Sequence, residues 1–253
     1  MISPEALTSS LDMRIVTPGV CPESLSGEPP GIPDRQVHVW SGSYADFGKY
    51  IPEFPDLVSP GEVARYRSFR KPADACRYLI RHALARVILA SYLNNDPRKI
   101  RFTYGENGRP EPEPGPEPDG IRFSLSTADA LFSLAVSRGL PTGLDIVRTQ
   151  SRSSFCSISG YLFTVAEQQW IQKEIPSRRY QRFVRIWALK EAILKAAGGN
   201  AAMMRDADVS GIVKDSLLEG WYPFDLAGQE RQAFIQESAS WPGHHQALAC
   251  LLP

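Results

Sequence analysis

The chain has 253 residues, which is enough for one large domain or two small ones. The 28 Lys and Arg residues balance the 28 Asp and Glu residues. The chain therefore lacks the excess of basic residues that is typical of a nucleic-acid-binding domain. The four cysteines are scattered without metal-ligand spacing, which argues against a zinc enzyme and favours reduced thiols. No apolar run approaches the roughly 18 residues of a membrane helix, and the N-terminus does not resemble a signal peptide, so we expect a cytoplasmic protein without membrane contacts.

The first elements are predicted from proline content and periodicity. Residues 1–35 are rich in proline and show little periodicity, which predicts an extended arm or a partly disordered leader and not a domain. The alternating segment 36–40 predicts the first strand. A helix is predicted to begin at Pro72, since proline suits a first helical turn. Its apolar face is formed by Leu79, Ala83, Leu84, Val87 and Ile88.

The middle of the chain predicts a loop followed by strands. Residues 105–120 contain too many prolines for a helix or a central strand, so we expect a surface loop there. Strands are predicted at 122–125 and 131–136, and a third strand ends at 143–147.

The remaining segment predicts two helices and a last strand. Thr164 and Glu167 form a capping box, which predicts a helix start. A stronger helix is predicted from about 180 to 197, with a glycine cap at Gly198, and a strand at 246–251. The whole pattern predicts an α/β fold of two similar halves, residues 36–141 and 142–253, after the proline-rich arm 1–35.

The helix at 180–197 carries a group of side chains suited to phosphate and metal chemistry. Trp187, Glu191 and Lys195 are spaced by four and share one helix face, and Lys190 neighbours that face. A carboxylate can bind magnesium, and ammonium groups can neutralise phosphate oxygens. The same spacing is also typical of an ordinary surface ion pair, and spacing alone favours that interpretation.

Asp145 and a basic segment can each be interpreted as functional or as structural. Asp145 at a strand end could be a magnesium ligand or a turn-forming residue. A basic segment could bind phosphate or be a solvated helix face, with nucleic acid as a weaker alternative ligand. Its members are Arg65, Arg67, Arg70, Lys71, Arg77 and Arg81.

Taken in order, the motifs resemble those of the Sfp-type phosphopantetheinyl transferases. The series comprises the basic segment, Gly-Arg-Pro at 108–110, Phe-Ser-Leu-Ser at 123–126, Gly-Leu-Asp-Ile at 143–146 and Trp-Ala-Leu-Lys-Glu at 187–191. The resemblance runs from about Trp40 to Ala197. It implies a monomer of two pseudo-symmetric α/β halves with coenzyme A in the cleft between them. It also implies a magnesium-dependent transfer of phosphopantetheine to a serine of an apo acyl, peptidyl or aryl carrier protein, releasing 3′,5′-ADP.

The resemblance assigns roles to the residues of the second half. Asp145 and Glu191 would bind Mg²⁺, with the metal site at the interface of the halves. Lys190 and Lys195 would neutralise phosphate, and Lys195 would serve in catalysis together with Glu191. Glu167 matches a glutamate proposed as the base that activates the serine, although the capping box gives it a structural alternative.

The resemblance also assigns residues to coenzyme A. Arg65 and Arg77 would hold the nucleotide phosphates, and Arg109 would lie near the adenine. Ser126 and Thr149 would line the cofactor.

Two positions depart from the family pattern. Thr127 stands where the family has a phosphate-binding histidine, and a threonine carries no charge. Val147 stands where many members have a further acidic metal ligand. These departures leave open an alternative, a catalytically degenerate protein of the same fold that binds coenzyme A or a carrier.

Overall fold

The computed structural model describes residues 13–16, 32, 36–104, 110–113, 120–150, 155–214 and 216–251. Within this part of the chain, two compact units are present. The N-terminal unit comprises residues 13–122 and 130–139, and the C-terminal unit comprises residues 123–129 and 140–251. The predicted mixture of helices and strands, the α/β class, is confirmed.

The N-terminal unit combines a sheet with a long helix. Its strands are β1 (Met13–Val16), β2 (Val37–Ser43) and β6 (Leu131–Arg138), where β2 pairs in parallel with β1 and antiparallel with β6. A separate ribbon pairs β3 (Phe102–Tyr104) with β4 (Pro110–Pro112). The helices are α1 (Pro60–Arg67) and α2 (Pro72–Leu93).

Helix α2 begins at the predicted proline and ends where Asn94 adopts a left-handed conformation with φ of 46°. All five residues predicted to form its apolar face are buried, so this prediction is confirmed.

Two segments of this unit differ from the prediction. Strand β1 precedes the segment predicted to be the first strand, and it lies within residues 1–35, whose assignment as an arm stays a prediction. Strand β4 lies within the segment predicted to be a loop, where a two-stranded ribbon tolerates proline because both of its strands are edges.

The C-terminal unit is built around one antiparallel sheet and one central helix. The strand order is β7-β11-β10-β9-β8. The strands are β7 (Thr142–Arg148), β8 (Ala207–Asp208), β9 (Glu219–Leu226), β10 (Gln229–Ser238) and β11 (His244–Leu251). The helices are α3 (Phe155–Leu162), α4 (Val165–Gln172) and α5 (Arg179–Ala197). Strand β5 (Ile121–Ala128) contributes residues 123–128 to this unit.

Helix α5 packs on β7 and β11, and its apolar side chains form the centre of the core. It ends at Gly198, whose φ of 74° is the left-handed conformation that glycine adopts without strain. The predicted start of α4 at Thr164 and the predicted end of α5 are therefore confirmed.

The cysteines and the helices of the structure bear on the expectations of reduced thiols and of a protein without a membrane helix. Cys76, Cys156 and Cys250 are free thiols. Among the described helices, none has the length and apolar character that crossing a bilayer requires.

Candidate active site

Asp145 lies on β7 and is held by two side chains from other elements. Its side chain is buried, and the residue exposes 6% of its surface. Ser126 Oγ donates a hydrogen bond to Asp145 Oδ1 at 2.7 Å, and Lys195 Nζ donates to the same oxygen at 2.6 Å. Lys195 Nζ also donates to the carbonyl of Leu144 at 3.0 Å. The aspartate is therefore oriented from β5 and α5 together.

Gly143 explains why α5 can approach β7 closely enough to build this site. A Cβ atom at Gly143 would overlap the backbone carbonyl of Ala192 and collide with the amide of Ala196. Gly143 and Asp145 are two residues apart and therefore lie on the same face of the strand. The missing side chain lets α5 settle against this face, and Glu191, the neighbour of Ala192, lines the same cavity as Asp145.

Glu191 is half-buried and interacts electrostatically with Asp145. Burial raises the pKa of Glu191, the charge of Lys195 lowers it, and the charge of Asp145 raises it again, with a net increase. A carboxylate in this environment gains stability from an additional cation.

The carboxylates of Asp145 and Glu191 are suitable ligands for a magnesium ion that also binds a substrate. Among the described residues, no group of three or more His, Cys, Asp or Glu side chains is placed to hold a metal ion. Of the described residues that line the cavity, Asp145 and Glu191 are the two carboxylates that we expect to hold the ion. Magnesium commonly takes one or two protein carboxylates and completes its octahedral coordination with phosphate oxygens and water.

Both carboxylates line one cavity of about 460 Å³ within the C-terminal unit. One part of its wall is polar and includes Thr127 from β5. The other part is apolar and mostly aromatic, and it is formed by Val147, Phe155, Ile158, Tyr180, Phe183 and Trp187. The cavity therefore combines an acidic, metal-compatible end with a surface for an uncharged group.

Lys190 and Glu167 lie outside this cavity and pair with each other. Lys190 Nζ donates a hydrogen bond to Glu167 Oε2 at 2.6 Å, and neither side chain is exposed to solvent. Burial lowers the pKa of Lys190, and Glu167 opposes that effect. This placement gives no support to Lys190 as a ligand of coenzyme A phosphates.

Glu167 has two structural partners besides Lys190, which are Thr164 and Val209. It receives hydrogen bonds from the backbone amides of Thr164 at 2.8 Å and Val209 at 2.9 Å, and the capping box with Thr164 is complete. The structural alternative for Glu167 is therefore confirmed. A base must reach the proton that it removes, and the burial of Glu167 gives no support to that role.

The other predicted site residues are distributed over the chain. Thr149 is half-buried, and its amide donates to the carbonyl of Gly243 at 2.8 Å. Arg65 and Arg77 are exposed residues of the N-terminal unit, on α1 and α2. Arg109 lies outside the described residues. Their assignment to coenzyme A stays a prediction.

Some contributions to the site were not predicted. Gly143 belongs to the Gly-Leu-Asp-Ile motif. Its close approach to α5 could not be predicted, because the sequence does not show which helix packs on this strand. The aromatic wall had a signal in the sequence, since Tyr180, Phe183 and Trp187 recur at helical spacing on α5.

The chain is similar in sequence to known 4′-phosphopantetheinyl transferases. Residues 141–249 match the model of the 4′-phosphopantetheinyl transferase superfamily. The chain is 25% identical over 175 residues to the 4′-phosphopantetheinyl transferase HetI of Nostoc sp., covering 69% of this chain and 74% of that protein. It is 23% identical over 200 residues to the 4′-phosphopantetheinyl transferase Sfp of Bacillus subtilis, covering 79% and 85%. It is 32% identical over 123 residues to the 4′-phosphopantetheinyl transferase AcpT of Salmonella typhi, covering 49% and 61%.

Proposed function

Since the chain belongs to the 4′-phosphopantetheinyl transferase superfamily, we propose that it transfers the phosphopantetheine group of coenzyme A to a serine of a carrier protein. The observation that carries this proposal is the cavity in which Asp145 and Glu191 lie together, with Lys195 bound to Asp145. A phosphoryl transfer between two oxygens requires positioning and charge neutralisation more than covalent chemistry.

In the proposed reaction, the serine oxygen of the carrier forms a bond to the phosphorus that bears pantetheine. The bond from this phosphorus to the leaving phosphate oxygen breaks, and 3′,5′-ADP leaves with the electron pair. The serine proton passes to solvent or to a base. A magnesium ion bound by Asp145 and Glu191 would hold the diphosphate and offset the charge of the leaving group.

The residues of this chain prepare the site before the ligands bind. Ser126 and Lys195 fix the orientation of Asp145. Lys195 also places a positive charge beside the two carboxylates, and this charge favours an anionic substrate. The apolar wall offers a surface for the uncharged part of the donor and reduces water near the reacting groups.

A second candidate is a protein that binds coenzyme A or a carrier without transferring the group. Val147 favours it, because an apolar side chain lines the cavity where many relatives have a further acidic ligand. Thr127 also favours it, because a threonine carries no charge with which to replace the family's phosphate-binding histidine. The two carboxylates already present satisfy what magnesium needs from a protein, so we favour transfer. The cytoplasmic location and the monomeric state stay predictions from the sequence.

The decisive experiment is a mass measurement on apo carrier proteins. Purified protein, magnesium and coenzyme A are incubated with fatty-acid, polyketide and nonribosomal-peptide carriers. We expect one carrier class to gain the mass of phosphopantetheine. A chelator should abolish the gain, as should a carrier whose acceptor serine is changed to alanine. Coenzyme A binding without any mass gain on the panel would favour the second candidate.

A further inference from the structure

A second cavity of the C-terminal unit, which we call the arginine cavity, lies where α4 gives way to α5. Its volume is about 390 Å³. The residues that line it are Trp170, Glu174, Arg178, Gln181, Arg182 and Arg185. It shares no described lining residue with the cavity that contains Asp145 and Glu191. The two cavities also differ in chemistry, because three guanidinium groups face this one.

Helical geometry places the arginine cavity on a different side of α5 from the candidate active site. Arg178 directly precedes α5, and Arg182 and Arg185 follow it at spacings of four and seven, so the three residues share one side of the helix. Tyr180, which lines the candidate active site, is two residues from Arg182 and lies about 200° from it around the helix axis. A ligand in the arginine cavity would therefore contact α5 on the side opposite to the candidate active site.

Arg182 forms a fixed part of the wall of the arginine cavity. Its Nη1 donates a hydrogen bond to the carbonyl of Trp170 at 2.6 Å, and its Nη2 lies 3.2 Å from Glu174 Oε2. The guanidinium carbon of Arg182 lies 4.4 Å from the centre of the Trp170 ring, which is a cation–π contact. Only 15% of the side chain is exposed. Three kinds of contact therefore fix the position of this charge.

Arg185 is fixed from the sheet and from the segment before β9. Its Nε and Nη2 donate to the two carboxylate oxygens of Glu237 on β10 at 3.0 and 2.6 Å. Its Nη1 and Nη2 also donate to the carbonyls of Lys214 and Ser216 at 2.5 and 2.8 Å. The guanidinium carbon lies 5.8 Å from the centre of the Trp170 ring. The protein therefore holds two of the three charges of the arginine cavity in place before any ligand binds.

Arg178 and Gln181 complete the arginine cavity with donors that face solvent. Both residues are exposed, and within the described part of the chain neither side chain has a hydrogen bond or an ion pair. The Arg178 guanidinium offers five N–H donors in a planar fork, and the Gln181 amide offers two more. The three arginines outnumber their two acidic partners, Glu174 and Glu237, by one. Among these groups an excess of one positive charge favours an anion.

We propose that the arginine cavity binds a small molecule through a phosphate or carboxylate group, with Arg178 and Gln181 as the residues that donate to this group. Both kinds of group present a pair of oxygens that matches the guanidinium fork. Arg182 and Arg185 supply the fixed positive charge around it, and a volume of about 390 Å³ is within the range of small-molecule sites. This site goes beyond the proposed transfer reaction and does not depend on it.

The test measures the binding of inorganic phosphate and of acetate by calorimetry, without magnesium and at constant ionic strength, so that salt screening is the same throughout. We expect R178Q to bind the preferred probe about tenfold more weakly than wild type, as for one lost charge-assisted hydrogen bond. R178K should lose part of the affinity, because it keeps the charge without the fork. R231Q, at an exposed arginine on β10, is the matched control and should bind like wild type. The probe that binds wild type more tightly identifies the anionic group of the ligand.

Three results would overturn the inference. These are equal affinities of wild type and R178Q for both probes, an equal loss of affinity in R231Q, and no binding of either probe to wild type in the millimolar range. The substitutions change exposed side chains, so the thermal unfolding midpoints of all variants should match that of wild type. The measurement contains neither coenzyme A nor a carrier protein. Its result therefore decides the inference whether or not the chain transfers phosphopantetheine.

Discussion

Lys190 and Glu167 form an ion pair that is closed off from solvent, with Nζ and Oε2 2.6 Å apart and neither side chain exposed. The adjacent residue, Glu191, instead lines the cavity that contains Asp145. Two consecutive residues of α5 therefore serve different purposes. One joins α5 to α4, and the other belongs to the candidate active site.

The first prediction concerns the stability of this pair. K190M and E167Q should each destabilise the protein by about 3–5 kcal/mol, because each leaves a buried polar or charged partner uncompensated. The double variant should lose less than the sum of the two single variants. Urea unfolding measures the free energies, and K173M, at an exposed lysine of the same unit, should behave like wild type. If E167Q has wild-type stability but loses transfer, Glu167 acts in the chemistry and its structural role is secondary.

The second prediction concerns the two carboxylates of the cavity. D145N and E191Q should lower the transfer rate by at least about 100-fold, since even groups that only support metal ligands cost about 10–100-fold. The loss should be partly recovered at high magnesium concentration if the remaining carboxylate still binds the ion. Rates come from the mass gain of the carrier, and E230Q, at an exposed carboxylate on β10, is the matched control. Wild-type rates in both variants would contradict the assignment of the metal ligands.

The third prediction concerns the close approach of β7 and α5. G143A should destabilise the protein by about 3 kcal/mol or more, because its Cβ would overlap the backbone of Ala192 and the helix would have to move. Gly160 is the matched control, since a Cβ there has no atom within 4 Å. We expect G160A to be neutral or slightly stabilising, by up to about 1 kcal/mol, because it lies on α3. Thermal and urea unfolding of both variants would test this, and equal stabilities would show that α5 can shift without cost.

The fourth prediction concerns acid stability of the N-terminal unit. The pKa of Glu62 is lowered from 4.5 to about 2 in the folded protein. Its contribution to stability is therefore present above pH 4.5 and is lost as the pH falls toward 2. E62Q should be less stable than wild type at neutral pH, and this difference should shrink as the solution becomes more acidic. Urea unfolding across this range measures it, with E53Q at an exposed carboxylate as control. A difference that does not change with pH would mean that Glu62 contributes through packing and not through its charge.

Local features of the sequence predicted most of the elements that carry the site. Pro72 and Thr164 predicted helix starts because their preferences act within one turn of chain, and Gly198 predicted a helix end for the same reason. Strand β4 was missed because the pairing of Pro110–Pro112 depends on a partner strand and not on local preference.

The sequence by itself determined that Trp187, Glu191 and Lys195 share one face of a helix, because helical geometry repeats at this spacing whatever surrounds it. Only the tertiary structure decided which way that face points. Consecutive residues on a helix are about 100° apart, so the packing of α5 against Gly143 directs Glu191 to the cavity and Lys190 to the buried Glu167. The same packing brings Lys195 to Asp145, a contact between residues 50 positions apart that no local pattern encodes.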